Sequence, residues 1–392
     1  MDIERLNASP VGRLIPVVGP DPATHEMVEG MAFLPDRLPS DLTLSTATWT
    51  TINGATAALA RLDGAARLIP NPSLLRGPAL RREAQSTSAL EGTYAPFADV
   101  LAAEREGRLT MSAELREILN FEEMAELAFS WPEARPLSLG MLGELQKTLV
   151  RGAAGELEDA GGLRDRIVVI GAPGRGFEEA RFVPPPPGDQ LRAGVEDLLA
   201  WIASPPGLPT VVQAALGHYQ FECLHPYSDG NGRLGRLLVI VHLLRGAVIR
   251  EPLLVVSPWF ERRRDRYQQE LLELSCDGDW DRWVAFFAEG VSAAAHESQL
   301  KVERLIRLQE ELRAAVQIAG KRGAAERLAA DLVGLPFVNR TVVAARYELS
   351  GQGAQNAINT LVDLDILRET PRLSARGARL YEAPRVIEIV AS

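Results

Sequence analysis

The stretch His225-Pro226-Tyr227-Ser228-Asp229-Gly230-Asn231-Gly232-Arg233-Leu234-Gly235-Arg236 sets a base, a hard oxygen ligand, a bare backbone and two guanidinium groups within twelve residues. Pro226 pushes the residue before it out of the right-handed helical region, so a helix must end near His225. Gly230 and Gly232 let backbone N–H groups approach a ligand closely. The helix that follows adds unpaired N–H donors and a partial positive charge at its first turn. Loop and helix start together form an anion site, most naturally for phosphate. Arg233 and Arg236 stand three apart on one helical face, and their forked donors suit phosphate oxygens. Asp229 is the kind of ligand that Mg²⁺ takes beside phosphate oxygens and water. His225 has a side chain suited to taking a proton from a hydroxyl near neutral pH. Together these residues spell phosphoryl or nucleotidyl transfer, with His225 as general base.

Other readings of the same residues fit less well. Gly230, Gly232 and Gly235 also satisfy G-x-G-x-x-G, but a dinucleotide fold needs an entering strand and small or apolar residues inside the loop. Here a helix-ending proline precedes the loop and Arg233 lies within it. No Walker phosphate loop occurs, and His218, His225 and His242 lack the spacing of a helical zinc motif. Taken singly, a histidine at a helix end, a Gly-Asn turn and two arginines three apart are ordinary structure. Their coincidence is what points to a site.

The elements that must position this loop are the helices on either side, PTVVQAALGHYQFECLH and RLGRLLVIVHLLRG. The 392 residues allow two or three domains. The net charge of −10 argues against a broad electrostatic footprint for nucleic acid or anionic membrane. Cys223 and Cys276 suggest neither a disulfide framework nor a zinc ribbon. The N-terminus lacks an apolar leader, and LLVIVHLL is too short to span a bilayer, so no membrane is involved and a reduced cytoplasm is the expected compartment. Residues 1–45, rich in Pro and Asp, read as an irregular lead-in. A helix starting near Thr43 closes at Asp63-Gly64, PNPSLLRG is a break, and a short helix over about 80–92 is closed by Gly92. Two or three amphipathic helices lie between Ala98 and Val150, with a corner at Pro132 and Pro136. RIVVIG (166–171) is the best strand candidate. With a Gly-rich turn and ARFVPPPP it makes a hairpin over about 166–186 whose outgoing arm cannot pair beyond Val183. A long charged helix from His296 leads to a tail of helix, turn, helix and two short strands.

The signature resembles that of Fic-domain proteins (filamentation induced by cyclic AMP), H-P-F-x-D/E-G-N-G-R-x-x-R, with Tyr227 in place of Phe. The 166–186 hairpin is similar to the family's flap, and SPWFERRRDRYQQEL and DWDRWVAFFAEGV are similar to its closing helices. The likeness covers roughly residues 35–295, with a winged-helix-like tail. It implies a mainly α fold: a Fic-type helical core with a small β-hairpin flap and a C-terminal winged-helix-like α+β domain. The divisions it suggests are 1–110, 111–295 and 296–392. It further implies AMP transfer from Mg²⁺-bound ATP to a Ser, Thr or Tyr hydroxyl of a protein, with pyrophosphate released. By motif position His225 is the base and Asp229 the Mg²⁺ ligand. Gly230, Asn231 and Gly232 cradle phosphates, the Asn231 side chain assisting, and Arg233 and Arg236 hold the β- and γ-phosphates. Ile167, Val168, Val169 and Ile170 of the flap would align the target by strand addition.

Upstream, Thr87, Glu91 and Gly92 fit S/T-x-x-x-E-G/N, the pattern of the family's inhibitory helix in the class that carries it N-terminal to the core. Glu91 would then pair with Arg236 and take the guanidinium that the γ-phosphate needs. Related family members transfer UMP, GMP, phosphate or phosphocholine, or modify themselves. The signature does not choose among these, though Asp229 with both arginines favours a triphosphate donor. In the tail, Gln352, Gln355 and Asn356 have side chains that can read base edges, and Arg340, Arg346, Arg368, Arg372, Arg376 and Arg379 make it locally basic. DNA contact, dimerisation and target docking all stay open for it. The rival for the whole chain is a nucleotide-sensing, DNA-binding regulator without catalysis. A homodimer is common in the resembling family.

Overall fold

The computed structural model describes the chain apart from residues 69–70, 72, 104–110, 133–134, 154–155, 172–175, 205–206 and 374–377, and the side chains of 372–373. Residues 1–45 are more ordered than expected. A short helix α1 (Ile3–Asn7) leads into an antiparallel hairpin, β1 (Gly12–Pro20) and β2 (Met27–Pro35), with Gly12 opposite Pro35 and Pro20 opposite Met27. Pro16 and Pro20 hid β1 from a reading by composition. They are tolerated because β1 is an edge strand, where a missing N–H costs no ladder bond.

Helix α2 (Thr46–Ala66) starts at Ser45, whose side chain accepts from the Thr48 N–H. It runs through Asp63-Gly64 instead of ending there, because the Asp63 carboxylate is held by Arg67 at 2.8 Å and by the Arg250 N–H at 2.9 Å. Tertiary bonds override the turn signal. Helix α3 (Ser73–Leu90) likewise absorbs most of PNPSLLRG, with Pro78 inside it. Gly92 follows at φ +94°, a left-handed conformation that favours glycine. Helices α4 (Phe97–Ala102), α5 (Ala113–Ser130) and α6 (Leu139–Val150) occupy the amphipathic stretch as expected.

Helix α7 (Asp189–Ala203) precedes α8 (Thr210–Leu224) and α9 (Asn231–Arg245), the pair that brackets the glycine loop. Both bury residues on every face, so they form the centre of the domain. After α10 (Ser257–Glu261) and α11 (Arg264–Asp277) comes α12 (Trp280–Ile318), one unbroken helix of 39 residues that packs along α2. Val291, Ala294, Ala295, Ser298, Val302, Leu305 and Leu308 continue its buried stripe across residue 296, so the expected charged linker is the second half of this helix.

The tail comprises α13 (Ala324–Asp331), β3 (Phe337–Val338), α14 (Arg340–Tyr347), α15 (Gly351–Asp363), β4 (Arg368–Leu373), β5 (Arg379–Glu382) and α16 (Pro384–Ala391), its sheet ordered β3-β5-β4. Its basic look is partly cancelled by pairing: Arg346 meets Asp331 at 2.9 Å, Arg368 meets Glu382 at 2.6 Å and Arg379 meets Glu369 at 3.4 Å. Arg376 lies outside the described residues, as does the Arg372 side chain. The molecule is mainly α with small antiparallel sheets, as the sequence implied.

RIVVIG does not form a strand. Only Ile170 bridges to Phe182, and the expected hairpin turn at 172–175 lies outside the described residues. In the register of that bridge Val168 and Arg166 would face Pro184 and Pro186, which have no N–H to give a ladder.

Candidate active site

Helix α8 ends at His225, which adopts φ 48° and ψ 60°, a left-handed cap; Pro226 excludes the right-handed helical conformation at this residue. Its Nδ1 lies 3.3 Å from the Glu222 carbonyl oxygen. A carbonyl only accepts, so Nδ1 carries the proton and Nε2 keeps the lone pair. The imidazole is half-buried. Burial first, and the Arg164 charge second, pull it down to about 4, against the opposing pull of Glu91 and Asp229. His225 is therefore a free base throughout the neutral range, and lowering the pH removes the base only on approaching 4. The prediction is that the acid limb of kcat/KM owed to His225 falls well below pH 6, whereas a limb at its ordinary value would contradict the geometry.

Gly230 opens α9 at φ +85°. The loop before it is clamped by Asn231, whose Oδ1 accepts from the Tyr227 N–H at 2.9 Å and whose Nδ2 donates to the Tyr227 carbonyl at 2.7 Å. The buried Asn231 amide thus shapes the cradle through one donated and one accepted bond, where it was expected to assist phosphate. Gln146 fastens the same loop from α6, donating to the Asp229 carbonyl at 3.1 Å.

Arg236 is buried, and two of its three guanidinium nitrogens are engaged. Its Nε donates to Thr87 Oγ1 at 2.6 Å, and one terminal nitrogen reaches the Thr87 carbonyl at 3.1 Å and Glu91 Oε1 at 2.5 Å. Thr87 and Glu91, four apart on α3 and its cap, therefore grip one guanidinium from one helical face. Glu91 also sits over the cradle: a Cβ on Gly232 would lie 2.1 Å from its Oε1. Burial raises the Glu91 carboxyl, but the Arg236 charge outweighs it and holds the group below the usual range. The grip is therefore complete at neutral pH and is lost only as acid protonates Glu91 below its ordinary value. Arg233 is paired with Glu117 and, at 3.0 Å, with Asp229. The geometry thus brings His225, Gly232, Arg236, Thr87 and Glu91 together, with Asp229 and Arg233 at the loop's other side. The flap residues Ile170 and Phe182 line the same cavity.

That cavity, about 470 Å³, is lined by Glu91, Gly232 and His225 and also by Tyr219, Cys223, Leu271 and Leu272. Asp229 Oδ1 is occupied by the Gly230 N–H at 2.6 Å and by Arg233, and its side chain is 39% exposed. Among the described residues no cluster of three or more metal-ligand side chains exists. A single accessible carboxylate fits a cation that arrives with phosphate oxygens and keeps its waters.

Several functional neighbours were not singled out in the sequence. Glu117 is one. Glu222 is another: its Oε1 is buried against Gly235 without a hydrogen-bond partner among the described residues, and burial pushes the carboxyl up to about 7 despite Arg236 nearby. Its place three residues before His225, on the same helix face, was the available signal. Arg164 is the third. Buried without a carboxylate, it donates to the carbonyls of His225 (2.8 Å), Arg166 (3.0 Å) and Pro185 (2.5 Å), and so stitches the base to both flap arms. Arg164→Ala should cost about 3 kcal/mol of stability, visible as a lowered denaturant midpoint; an unchanged midpoint would deny it this role.

A mainly helical core whose central helix–loop–helix pairs a base with an anion cradle, under a helix that plugs the cradle, defines the class. Residues 49–130 match the Fic/DOC family N-terminal model and residues 136–243 the Fic/DOC family model. Residues 49–243 are thus a Fic/DOC family region. Over 109 residues it is 35% identical to "Protein adenylyltransferase Fic" of Drosophila yakuba, covering 27% of this chain and 20% of that protein. The likeness to the Aedes aegypti protein of the same name is 33% over the same length. The match spans about a fifth of these relatives. A Fic family protein from Desulfovibrio desulfuricans G20 shares the fold with a TM-score of 0.56 at 19% identity, over 87% of this chain and 97% of that one.

Proposed function

We propose that this protein is a protein adenylyltransferase, moving AMP from Mg²⁺-bound ATP to a Ser, Thr or Tyr hydroxyl of a protein, and that Glu91 holds it inhibited. The observation that carries this is the Glu91 carboxylate seated over Gly232 and bonded to Arg236, an anion of the chain's own in the place where phosphate would bind. With Glu91 withdrawn, the α9 N-terminus and Arg236 hold the triphosphate. His225 Nε2 takes the proton of the acceptor hydroxyl, whose oxygen bonds to the α-phosphorus as the bond to the β-phosphate oxygen breaks and pyrophosphate leaves. Arg233 serves the phosphates once it exchanges Glu117 for them. Mg²⁺, held by Asp229, supplies charge neutralisation on the phosphates. The apolar part of the cavity lining suits a nucleobase, and the names of the matched relatives favour adenine. Residues 167–170 would align the target segment, within a division of the chain at 1–110, 111–295 and 296–392.

For the tail, the arrangement of three helices, a three-stranded sheet and α16 favours a winged-helix-like module. Acid-paired arginines weigh against a phosphate-tracking surface, so docking of a partner or of a second copy is the better role. A cytoplasmic setting suits an ATP-dependent reaction. Transfer of label from α-labelled ATP to protein, strongest in Glu91→Gly, is the test; binding without transfer would favour the nucleotide-sensing regulator.

A further inference from the structure

Residues 1–35 lie outside the segments matched to the family, yet they hold the flap. Among the described residues the flap's two arms share a single bridge, Ile170 to Phe182, and an isolated two-stranded pairing is marginal in water. Its other support comes from the hairpin β1–β2. The Phe33 N–H donates to the Val183 carbonyl at 2.8 Å, which sets β2 along the outgoing arm. The rings of Phe33 and Phe182 lie 5.6 Å apart. Val17 and Ala32 share one buried cluster with Ile167, Ala180 and Val183. The surfaces meet with no room to spare: a Cβ on Gly19 would lie 2.5 Å from Ile167, and one on Gly30 2.0 Å from Phe177.

At the hairpin tip Asp21 joins the two. Its Oδ1 accepts from the Ala23 and Thr24 N–H groups at 2.7 and 3.0 Å, closing the β1–β2 turn. Its Oδ2 accepts from the Phe177 N–H of the flap at 2.6 Å. A Cβ on Gly176 would stand 2.6 Å from that oxygen, so the contact needs a bare backbone at 176. Adjacent residues of an extended arm send their bonds to opposite sides. Val183 therefore faces β2 while Phe182 faces Ile170, and the outer edge of 167–170 is the one left for another strand.

We propose that the β1–β2 hairpin is the platform on which the flap is built, and that Asp21 is a positioning residue fixing how the flap edge presents an extended, hydroxyl-bearing segment to His225. This rests on the flap's role in the proposed transfer. It adds that acceptor alignment is decided by residues outside the matched family segments.

The experiment uses the full chain in the Glu91→Gly background, with Asp21→Ala and, approaching the same contact from the other side, Gly176→Ala. Three quantities are read: label from α-labelled ATP entering protein, affinity for a non-hydrolysable ATP analogue, and amide hydrogen exchange of residues 166–171 and 176–183. Each variant is expected to lower label incorporation at least about tenfold, since small misplacements of a reacting group cost that much or more. Nucleotide affinity should stay within about twofold, with faster exchange confined to the flap. Incorporation within about twofold of the parent, unchanged flap exchange, or a parallel loss of nucleotide binding would each overturn the proposal. If the Glu91→Gly parent takes up no label at all, the transfer reading fails instead, and flap exchange alone decides whether the platform exists.

Discussion

Replacing Glu91 with glycine is expected to raise AMP transfer by about 10- to 100-fold, because it removes a charge-assisted bond of about 1.5–3 kcal/mol from a guanidinium that would turn to the nucleotide. The carboxylate does two things at once. It neutralises the buried Arg236 at 2.5 Å, and it fills the space over Gly232 where backbone donors would meet phosphate. Both effects vanish with the side chain. The substitution should also lower the stability of the nucleotide-free protein, since Arg236 then loses its carboxylate while buried. ATP should restore that stability, because its phosphates supply the missing charge. Activity equal to the parent's would remove Glu91 as the switch and leave the cradle intact.

His225→Ala in the same background should lower transfer by about 10²–10⁴-fold, the usual worth of a positioned base. Nucleotide affinity should stay near the parent's, since the imidazole bonds the Glu222 carbonyl of α8 and none of the cradle's donors. The left-handed backbone at 225 complicates alanine slightly, as φ 48° is uncommon for any non-glycine residue. His225→Asn tolerates that conformation better and should be equally inactive. A fall in nucleotide binding as large as the fall in transfer would mean that His225 supports the fold and not the chemistry.

Much of this site was legible because its parts are local. A proline, glycines and arginines inside twelve residues fix a helix end, a turn and a helix start without help from the rest of the chain. The Thr87–Glu91 spacing on one helix was readable for the same reason, although its partner Arg236 stands 145 positions away from Glu91. What stayed hidden depends on distant contacts. Glu117 and Arg164 look like surface charges in sequence, and only folding sets one against Arg233 and the other under His225. Asn231 was expected at the phosphates together with its neighbours, while the clamp on Tyr227 is a matter of side-chain direction. The hairpin of residues 12–35 was masked by its prolines, and the flap was over-read as a strand because its apolar run packs against that hairpin instead of pairing with itself. The continuous α12 was divided because its charged outer face resembled a linker.

The most direct measurement compares ATP labelled at the α- or γ-phosphate, with Mg²⁺, in the parent, Glu91→Gly and Glu91→Gly/His225→Ala, with and without cell lysate. Protein label from the α-position only, strongest in Glu91→Gly and absent from the double variant, is the expected result. Label arriving only from the γ-position, or none in any sample while ATP still binds, would contradict an adenylyltransferase.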